Sequence, residues 1–388
     1  MVGLQEIMAL FLLLSGLGLE QPPSEASVTE VQKYAPSSAN YHLFLDTKGW
    51  MKTATEKAQS LAKEPLMEDL VGKMSADQIT YAIDMARTTA KGVLGVDPIS
   101  DVHWVSAWFK LKQKAEPQFI IAAKGNWPRN HIDAIASRTG VKIETVNGRK
   151  LLRGPDKRLA VALTSDGILL FGSAPWIAPR LSAGWRAPRV EPAVKELFNH
   201  KPHMVLYSQP SPESGNTVKK WLTGNASILR WLLLGHLRFG IALDNRGVTG
   251  YWQGTNAASA ERARLTAEGT LSLLRSTHHG ITGFVKLLLA WVPKNPKNRF
   301  ATAVHKHRNA ILKLVTSMTG DGGFKADVNL DARKHIVRVE ARGNSTKEVL
   351  PIGGLPLIGA AALFVVGTSA ASKAKTGDSK AASPVPAK

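Results

Sequence analysis

Short apolar runs separated by turn sequences recur along the middle of this chain. Asn147–Gly148, Ser165–Gly167 and Asn245–Gly247 each lie between two runs of alternating or largely apolar residues. Asn-Gly pairs and related glycine-containing sequences accommodate the positive φ angles of tight hairpin turns. The pattern therefore predicts three β-hairpins, and residues 324–343 offer a further one.

The residues beside two of these turns also predict which side chains point to the core. Side chains two positions apart lie on the same face of a strand. We therefore expect the larger apolar residues to point inward. In the first hairpin these are Leu159, Val161, Leu163, Ile168 and Leu170, and in the second they are Phe239, Ile241, Leu243 and Val248.

Helical periodicity and capping signals appear between the strands. Pro128 lies near the start of one predicted helix and Gly140 follows its end. The helix that begins at Ala258 has alanine and leucine on one stripe and charged residues opposite. Mixed strands and helices predict an α+β fold. The remaining predicted strands cover residues 41–47, 102–111, 118–125 and 203–209. The remaining predicted helices cover 51–63, 75–94 and 192–200, and residues 216–237 are expected to form one helix or a broken pair.

The order of these elements repeats along the chain. A strand, a glycine-containing turn, a second strand ending in glycine, a break of small residues and a helix occur both after Leu159 and after Phe239. The repeat predicts two related α+β halves, residues 40–190 and 191–347, each an antiparallel sheet of hairpins packed against helices. Residues 21–39 are rich in proline and serine and predict a linker before the first half.

Both terminal regions carry apolar segments. Residues 1–20 contain the run Ile7–Leu19, which has the length of a signal-peptide core but lacks a basic segment before it. Residues 348–372 contain Val349–Ala371 without a charge, long enough for a C-terminal membrane anchor, and residues 373–388 form a basic tail predicted to be disordered. The alternatives are an atypical, uncleaved or wrongly started signal, and an apolar tail buried on the body.

These terminal segments predict a location for the protein. Lysines beyond the anchor favour a cytoplasmic tail, because positive charges are retained on the cytoplasmic side. The body is then exported and held at the inner membrane of a cell envelope.

The charge narrows the choice of partners. The formal net charge is +20, with 50 Lys and Arg against 30 Asp and Glu, and such a field attracts anions. Export favours anionic lipid or envelope polysaccharide over nucleic acid. Solubility alone, or a base-composition bias of the genome, is the alternative explanation of the charge.

Basic residues beside two apolar segments are the candidate binding site. Segment 226–239 carries Arg230 and Arg238, and segment 281–300 ends with the cluster Lys294, Lys297 and Arg299. Both segments are too short to span a bilayer, and each can be a core helix or a helix that docks on an anionic surface.

No sequence pattern specifies a reaction. The chain has no cysteine, which excludes disulfides and thiolate metal sites, and it predicts neither a cofactor nor a metal centre. Ser60–Lys63, Ser214–Asn216 and Lys375–Gly377 reproduce motifs of penicillin-binding enzymes, but the last lies in the tail beyond the apolar segment. His305 and His307 are two residues apart, a spacing that suits surface or capping histidines better than ligands on one helix face.

Several short motifs resemble those of one group of proteins. Residues 95–102, 116–128, 147–154 and 165–173, with the helix from Ala258, are similar to a pattern in uncharacterised exported envelope proteins of myxobacteria-like bacteria. The resemblance implies export and no known activity.

These observations favour a non-enzymatic structural or binding component of a bacterial cell envelope. Its basic ectodomain is expected to engage anionic surfaces, partner proteins or further copies of itself. The alternatives are an envelope hydrolase with an unrecognised site and a basic nucleic-acid-binding protein.

Overall fold

The computed structural model describes residues 24–48, 100–110, 118–209, 236–272, 305–312 and 324–343, apart from positions 156, 183, 245, 246 and 270, together with residue 302 and scattered positions between 65 and 97. The strands are β1 Tyr41–Asp46, β2 Val102–Lys110, β3 Gln118–Gly125, β4 Ile143–Val146, β5 Arg149–Arg153, β6 Leu159–Leu163, β7 Ile168–Ser173, β8 Met204–Ser208, β9 His236–Leu243, β10 Gly247–Gly254, β11 Phe324–Asp331 and β12 Ile336–Gly343. The helices are α1 Val28–Gln32, α2 His131–Thr139, α3 Ala174–Ile177 followed by a 3-10 turn Ala178–Leu181, α4 Pro192–Phe198 and α5 over residues 257–269.

All twelve strands form one antiparallel sheet. Its order is β11-β12-β10-β9-β8-β1-β2-β3-β7-β6-β5-β4. The α+β class with antiparallel hairpins is confirmed. The two predicted halves do not have separate sheets, because β1 pairs with β2 on one side and with β8 on the other.

One face of the sheet carries the main core. Trp104, Trp108 and Phe44 point to this face from the central strands and are almost fully buried. Helices α1, α3 and α4 cover them. The residues that these helices contribute to the core are Val31, Ala174, Trp176, Ile177, Ala193, Val194, Leu197 and Phe198.

Two helices cover the opposite face near the two edges of the sheet. Ile132 of α2 packs on Leu152 and Leu169. Ala260 and Ala263 of α5 pack in a separate cluster with Phe239, Trp252 and Val337. Strands covered on both faces read as continuous apolar runs rather than clean alternation.

Burial on both faces corrects the predicted orientation of the first hairpin. Leu159 is 37% exposed, whereas Ala160 and Ala162 lie in the main core with Ile168 and Leu170. Val161 and Leu163 point to the α2 face instead. Ala162 pairs directly with Leu170, and residues paired across two strands share one face of the sheet. The alanines of β6, rather than its leucines, therefore face the main core. In the second hairpin Phe239 and Ile241 point to the α5 face. Leu243 and Val248 are both half-buried.

The predicted turns at 147–148 and 165–167 lie where strands reverse, whereas positions 245 and 246 of the third predicted turn lie outside the described residues. Asn147 and Gly148 have φ angles of 53° and 74°, as a type I′ turn requires. Only Gly167 has a positive φ, 73°, in the longer loop between β6 and β7. In the loop between β9 and β10, the Asp244 carboxylate accepts a hydrogen bond from the Gly247 N–H at 3.0 Å.

The segment predicted as a linker is part of the fold over residues 24–39. Val31 is fully buried, and Tyr34 and Ala35 are 5% exposed. The Ser27 hydroxyl caps α1 by accepting from the Glu30 N–H at 3.2 Å. A five-residue helix is too short to show an apolar period, so its burial depends on contacts with distant strands.

Replacing Val31 with alanine should lower the free energy of unfolding by about 2 kcal/mol, because it removes buried methyl groups and leaves a cavity. The exposed neighbour Thr29 provides the matched control, and Thr29→Ala should change stability by less than about 0.5 kcal/mol. Urea unfolding followed by tryptophan fluorescence measures both variants. Equal, negligible effects would show that the segment is a linker after all.

Candidate functional site

The structure places one of the five predicted binding residues. Arg238 lies on β9, where its Nε is 3.2 Å from the Glu191 carboxylate and its Nη1 is 3.4 Å from the Gln253 side-chain oxygen. Arg230, Lys294, Lys297 and Arg299 lie outside the described residues. The positive charge of Arg238 is therefore already paired within the fold.

Glu191 is the centre of this arrangement. It also accepts a hydrogen bond from the Tyr207 hydroxyl at 2.6 Å. Burial and this hydrogen bond raise the pKa of Tyr207. Glu191 therefore connects the start of α4 to β8 and β9, and Arg238 serves to hold these elements together.

Similar arginine–carboxylate pairs continue across the second half of the sheet. Arg338 on β12 pairs with Glu196 of α4 and lies over the ring of Tyr251, 6.0 Å from its centroid. Arg342 Nη1 is 2.9 Å from the Asp244 carboxylate. Arginine suits such positions because its planar guanidinium can donate to two acceptors and stack on a ring.

Most of the described carboxylates form ion pairs within the protein. Fourteen carboxylates form ion pairs with lysine or arginine: Glu25, Glu30, Asp69, Asp97, Asp133, Glu144, Asp166, Glu191, Glu196, Asp244, Glu261, Glu268, Asp331 and Glu340.

Many cations have no such partner. Within the part of the chain that the structure describes, Lys142, Arg149, Arg186, Arg189 and Lys201 are exposed and take part in no ion pair. The surplus positive charge therefore points to solvent.

A buried polar line crosses β1 and β2 beneath α1. The Nε2 of His42 is 2.7 Å from the Ser106 hydroxyl, and its Nδ1 is 3.1 Å from the Gln32 side-chain nitrogen. The ring of Trp108 stacks on that of His42, with 5.3 Å between centroids. Burial lowers the pKa of His42 to about 3, so the imidazole is neutral at physiological pH.

A serine beside a histidine can act as a nucleophile only if a substrate can reach it. Ser106 is 0% exposed and His42 is 3% exposed. The pair lies in the main core and satisfies its own hydrogen-bonding groups. Its role is to join α1 to the sheet.

A second connection between the N-terminal segment and the sheet centres on Asp166. Its carboxylate accepts from Lys33 Nζ at 2.8 Å and from the Tyr34 hydroxyl at 2.7 Å. Burial opposes ionisation of Asp166, but hydrogen bonds from Lys33, Thr164 and Tyr34 outweigh it and lower the pKa to about 2. The sequence identifies Asp166 only as a turn residue, because its partners lie more than 130 positions away.

Arg180 completes the attachment of this segment. Its guanidinium is 8% exposed and donates to the main-chain oxygens of Tyr34, at 2.7 Å, and Trp176. The Trp185 ring lies 4.5 Å from it, and the Trp185 N–H donates to the Lys33 oxygen at 3.0 Å. Burial lowers the pKa of Arg180 to about 10, which leaves the side chain charged at neutral pH.

The histidines give no metal centre among the described residues. No group of three or more potential metal-ligating side chains occurs in those parts of the chain. His307 lies 2.7 Å from the Asp69 carboxylate, which Lys306 also contacts at 2.6 Å. Lys306 and His307 therefore share one carboxylate partner from a distant part of the chain.

The described helices include none that is both long and apolar enough to cross a membrane. The runs Ile7–Leu19 and Val349–Ala371 lie outside the described residues. The predictions of a signal-like segment and of an anchor therefore stay predictions.

The comparisons with known proteins find a likeness in structure only. No protein-family profile and no curated protein matches the sequence. Crystal form III of TP0453 is 13% identical, over 82% of this chain and 94% of that chain, with a TM-score of 0.36. Crystal form IV of TP0453 is 14% identical, over 60% of this chain and 81% of that chain, with a TM-score of 0.33. At such low TM-scores the likeness carries no argument about function.

The buried state of His42 should make the fold sensitive to acid. Its pKa is about 3 in the folded protein against about 6.5 when unfolded, so its contribution to stability is complete above pH 6.5 and declines as the pH falls towards 3. Between pH 7 and pH 4.5 the loss should reach roughly 2 to 3 kcal/mol.

The measurement is urea unfolding of wild type and His42→Gln at both pH values. The carboxylates titrate alike in both proteins, so their contribution cancels when the free energies of unfolding of wild type and variant are subtracted at each pH. Wild type should lose more stability than the variant, whereas His305→Gln, at an exposed position, should behave as wild type does. A parallel loss in wild type and His42→Gln would contradict the assignment.

Proposed function

We propose that the protein is a non-enzymatic binding component of a bacterial cell envelope, anchored to the inner membrane, whose basic body engages anionic surfaces. The observation that carries the proposal is the charge arrangement of the body. Fourteen described carboxylates are engaged in internal ion pairs, and exposed cations such as Arg186, Arg189 and Lys201 have no such partner.

This arrangement favours electrostatic attraction over recognition in a cleft. Cations that lack carboxylate neighbours contribute fully to the field outside the protein. Exposed charges act over about 8 Å at physiological ionic strength, so the field reaches a surface only at close approach. Anionic lipid head groups, lipopolysaccharide and acidic envelope polysaccharides all present dense negative charge suited to such contact.

The strongest local contribution is assigned to the cluster Lys294, Lys297 and Arg299, with Arg230 beside the other apolar segment. Arg238 contributes less, because Glu191 pairs with it. Each lysine or arginine close to an anionic membrane surface contributes about 1 kcal/mol to binding. Three neighbouring cations therefore suffice for a measurable preference.

Anchoring is assigned to the charge-free run Val349–Ala371, with the basic tail 373–388 in the cytoplasm and the body exported. A permanent anchor raises the local concentration of the body at the membrane. Individually weak contacts with anionic surfaces then become effective without a deep binding site.

Duplication is the proposed origin of the two halves, and the strand order supports it. On one side of the centre the order is β1-β2-β3 followed by β7, and on the other it is β8-β9-β10 followed by β12. In each half, three described strands that follow one another in the chain are also neighbours in the sheet, and a helix follows the third strand. The last strand of each half, β7 or β12, then pairs with that third strand. This order relates β9–β10 to β2–β3, rather than to β6–β7 as the sequence repeat predicts.

Binding of the body, residues 21–347, to vesicles with anionic lipid should exceed binding to neutral vesicles and should fall as salt rises. Replacing Lys294, Lys297 and Arg299 with glutamine should weaken the anionic binding by up to about 3 kcal/mol, roughly a hundredfold. Vesicle co-sedimentation across a salt series measures both effects. Equal binding to neutral and anionic vesicles would remove the electrostatic proposal.

The matched control removes three exposed cations elsewhere. Arg186, Arg189 and Lys195 are exposed and take part in no described ion pair. Their replacement with glutamine should weaken binding less than the triple change in the cluster. If the two triple variants lost affinity equally, the net charge and not the cluster would determine binding.

Truncation after Lys347 should release the body from membranes, since β12 ends at Gly343 and every described strand is retained. Full-length protein should stay in the membrane fraction after a high-salt wash, because salt screens charge contacts but does not extract an apolar span. Immunoblotting of the soluble and membrane fractions measures the result. Release of the full-length protein by salt alone would contradict the anchor.

A further inference from the structure

One end of the sheet, which we name the tip end, contains the turns β4–β5 and β6–β7 and the reversal from β9 to β10, whereas the turn between β11 and β12 lies at the opposite end. The described residues there are 147–148, 164–167, and Leu243 and Val248, which pair at the end of β9 and the start of β10. Lys124 pairs with Ile168, so the end of β3 lies at the tip end. Val102 pairs with Gly125, so the start of β2 lies there too.

The registers carry the tip end across to the other half. Asp46 pairs with Trp104 near the start of β2, so β1 ends at the tip end. Leu45 pairs with Met204, and Met204 pairs with Leu243, which places the start of β8 and the end of β9 at the same end.

The described chain leaves the sheet at this end on its C-terminal side. Gly247 at the tip end pairs with Arg342, and Gly343 follows as the last residue of β12. Only residues 344–348 separate Gly343 from the apolar run that begins at Val349, and five residues extend at most about 18 Å.

The described chain also reaches the sheet at this end on its N-terminal side. The Ser24 N–H donates to the Lys201 oxygen at 3.2 Å, and two residues later the His203 oxygen accepts from the Asp46 N–H at 2.7 Å. Residues 20–23 separate Ser24 from the apolar run that ends at Leu19, a reach of at most about 14 Å. The start of β8, beside which Ser24 lies, and the end of β12 are three strand spacings apart, about 14 Å across the sheet.

We infer that the tip end of the sheet faces the membrane and contacts phospholipid head groups, with the strands directed away from the bilayer. The inference rests on the proposed anchoring. The described residues that precede or follow the two apolar runs, Ser24 and Gly343, both lie at the tip end, so retention of either run gives the same orientation. Cleavage of a signal segment therefore leaves the orientation unchanged.

The charges at the tip end fit an anionic head-group region. Lys201 and Lys325 are exposed there, and so is Lys48, which pairs with the Glu25 carboxylate at 3.1 Å. Exposed cations occur at the opposite end too, among them Arg333 in the turn between β11 and β12. The short attachment of the apolar runs, and not charge alone, therefore distinguishes the two ends.

The hairpin β11–β12 provides a matched pair of test positions. Lys325 lies near the tip end, because it pairs with Arg342, and Arg333 lies in the turn at the opposite end. The six residue-to-residue steps from Lys325 to Asp331 extend about 20 Å along β11. Lys325→Cys and Arg333→Cys each remove one exposed positive charge, and the chain has no other cysteine.

The experiment labels each full-length variant with the same fluorophore in vesicles of phosphatidylcholine and phosphatidylglycerol. Lipids with a nitroxide on the head group act as contact quenchers. We expect quenching at position 325 to be at least threefold stronger than at position 333. A water-soluble quencher should act equally on both labels, which confirms that both are exposed.

Equal quenching at the two positions, or stronger quenching at 333, would overturn the orientation. Lys48→Cys, at the tip end of β1, gives an independent measurement and should agree with position 325. Flotation of the same samples after a salt wash tests the anchoring separately. Protein that floats with vesicles but shows the reverse quenching order contradicts the orientation alone, whereas protein released by salt contradicts the anchoring and the orientation with it.

Discussion

The fold depends on the pairing of β1 with both of its neighbours. Phe44 of β1 lies opposite Ser106 of β2 on one side and Val205 of β8 on the other. Its buried ring packs 5.0 Å from Phe198 and 6.4 Å from Trp104, which join the two halves into one core. Without the β1–β8 pairing, each half would have an open sheet edge in the middle of the molecule, with unpaired main-chain groups.

The N-terminal segment, residues 24–39, stabilises this junction from the main-core face of the sheet. Gln32 reaches His42 on β1, Lys33 and Tyr34 reach Asp166 in the first half, and the Ser24 N–H reaches Lys201 beside the second. The segment therefore crosses from one half of the sheet to the other. Hydrogen bonds pair buried polar groups along the segment. Because each hydrogen bond needs a particular partner, these bonds define the path of the segment more specifically than apolar contacts alone would.

Charge and orientation together define how such a body can act. Several described carboxylates, among them Glu191 and Glu196, connect strands to helices, while cations that take part in no described ion pair remain at the surface. In the proposed orientation the tip end of the sheet faces the bilayer, and the rest of the surface faces the envelope. This arrangement requires no cleft, in keeping with a binding or structural component.

The sequence by itself determined the local features. The turn at Asn147–Gly148, the end of α2 at Gly140 and most strand positions follow from φ preferences and apolar runs that neighbouring residues set. Tertiary structure alone decided that Ala160 and Ala162 face the main core, that residues 24–39 are folded, and that Asp166 binds Lys33. These outcomes depend on which distant strands and helices meet. Pairing over more than 100 positions leaves no periodic pattern in the sequence, because its energy comes from surfaces that exist only once the sheet has formed.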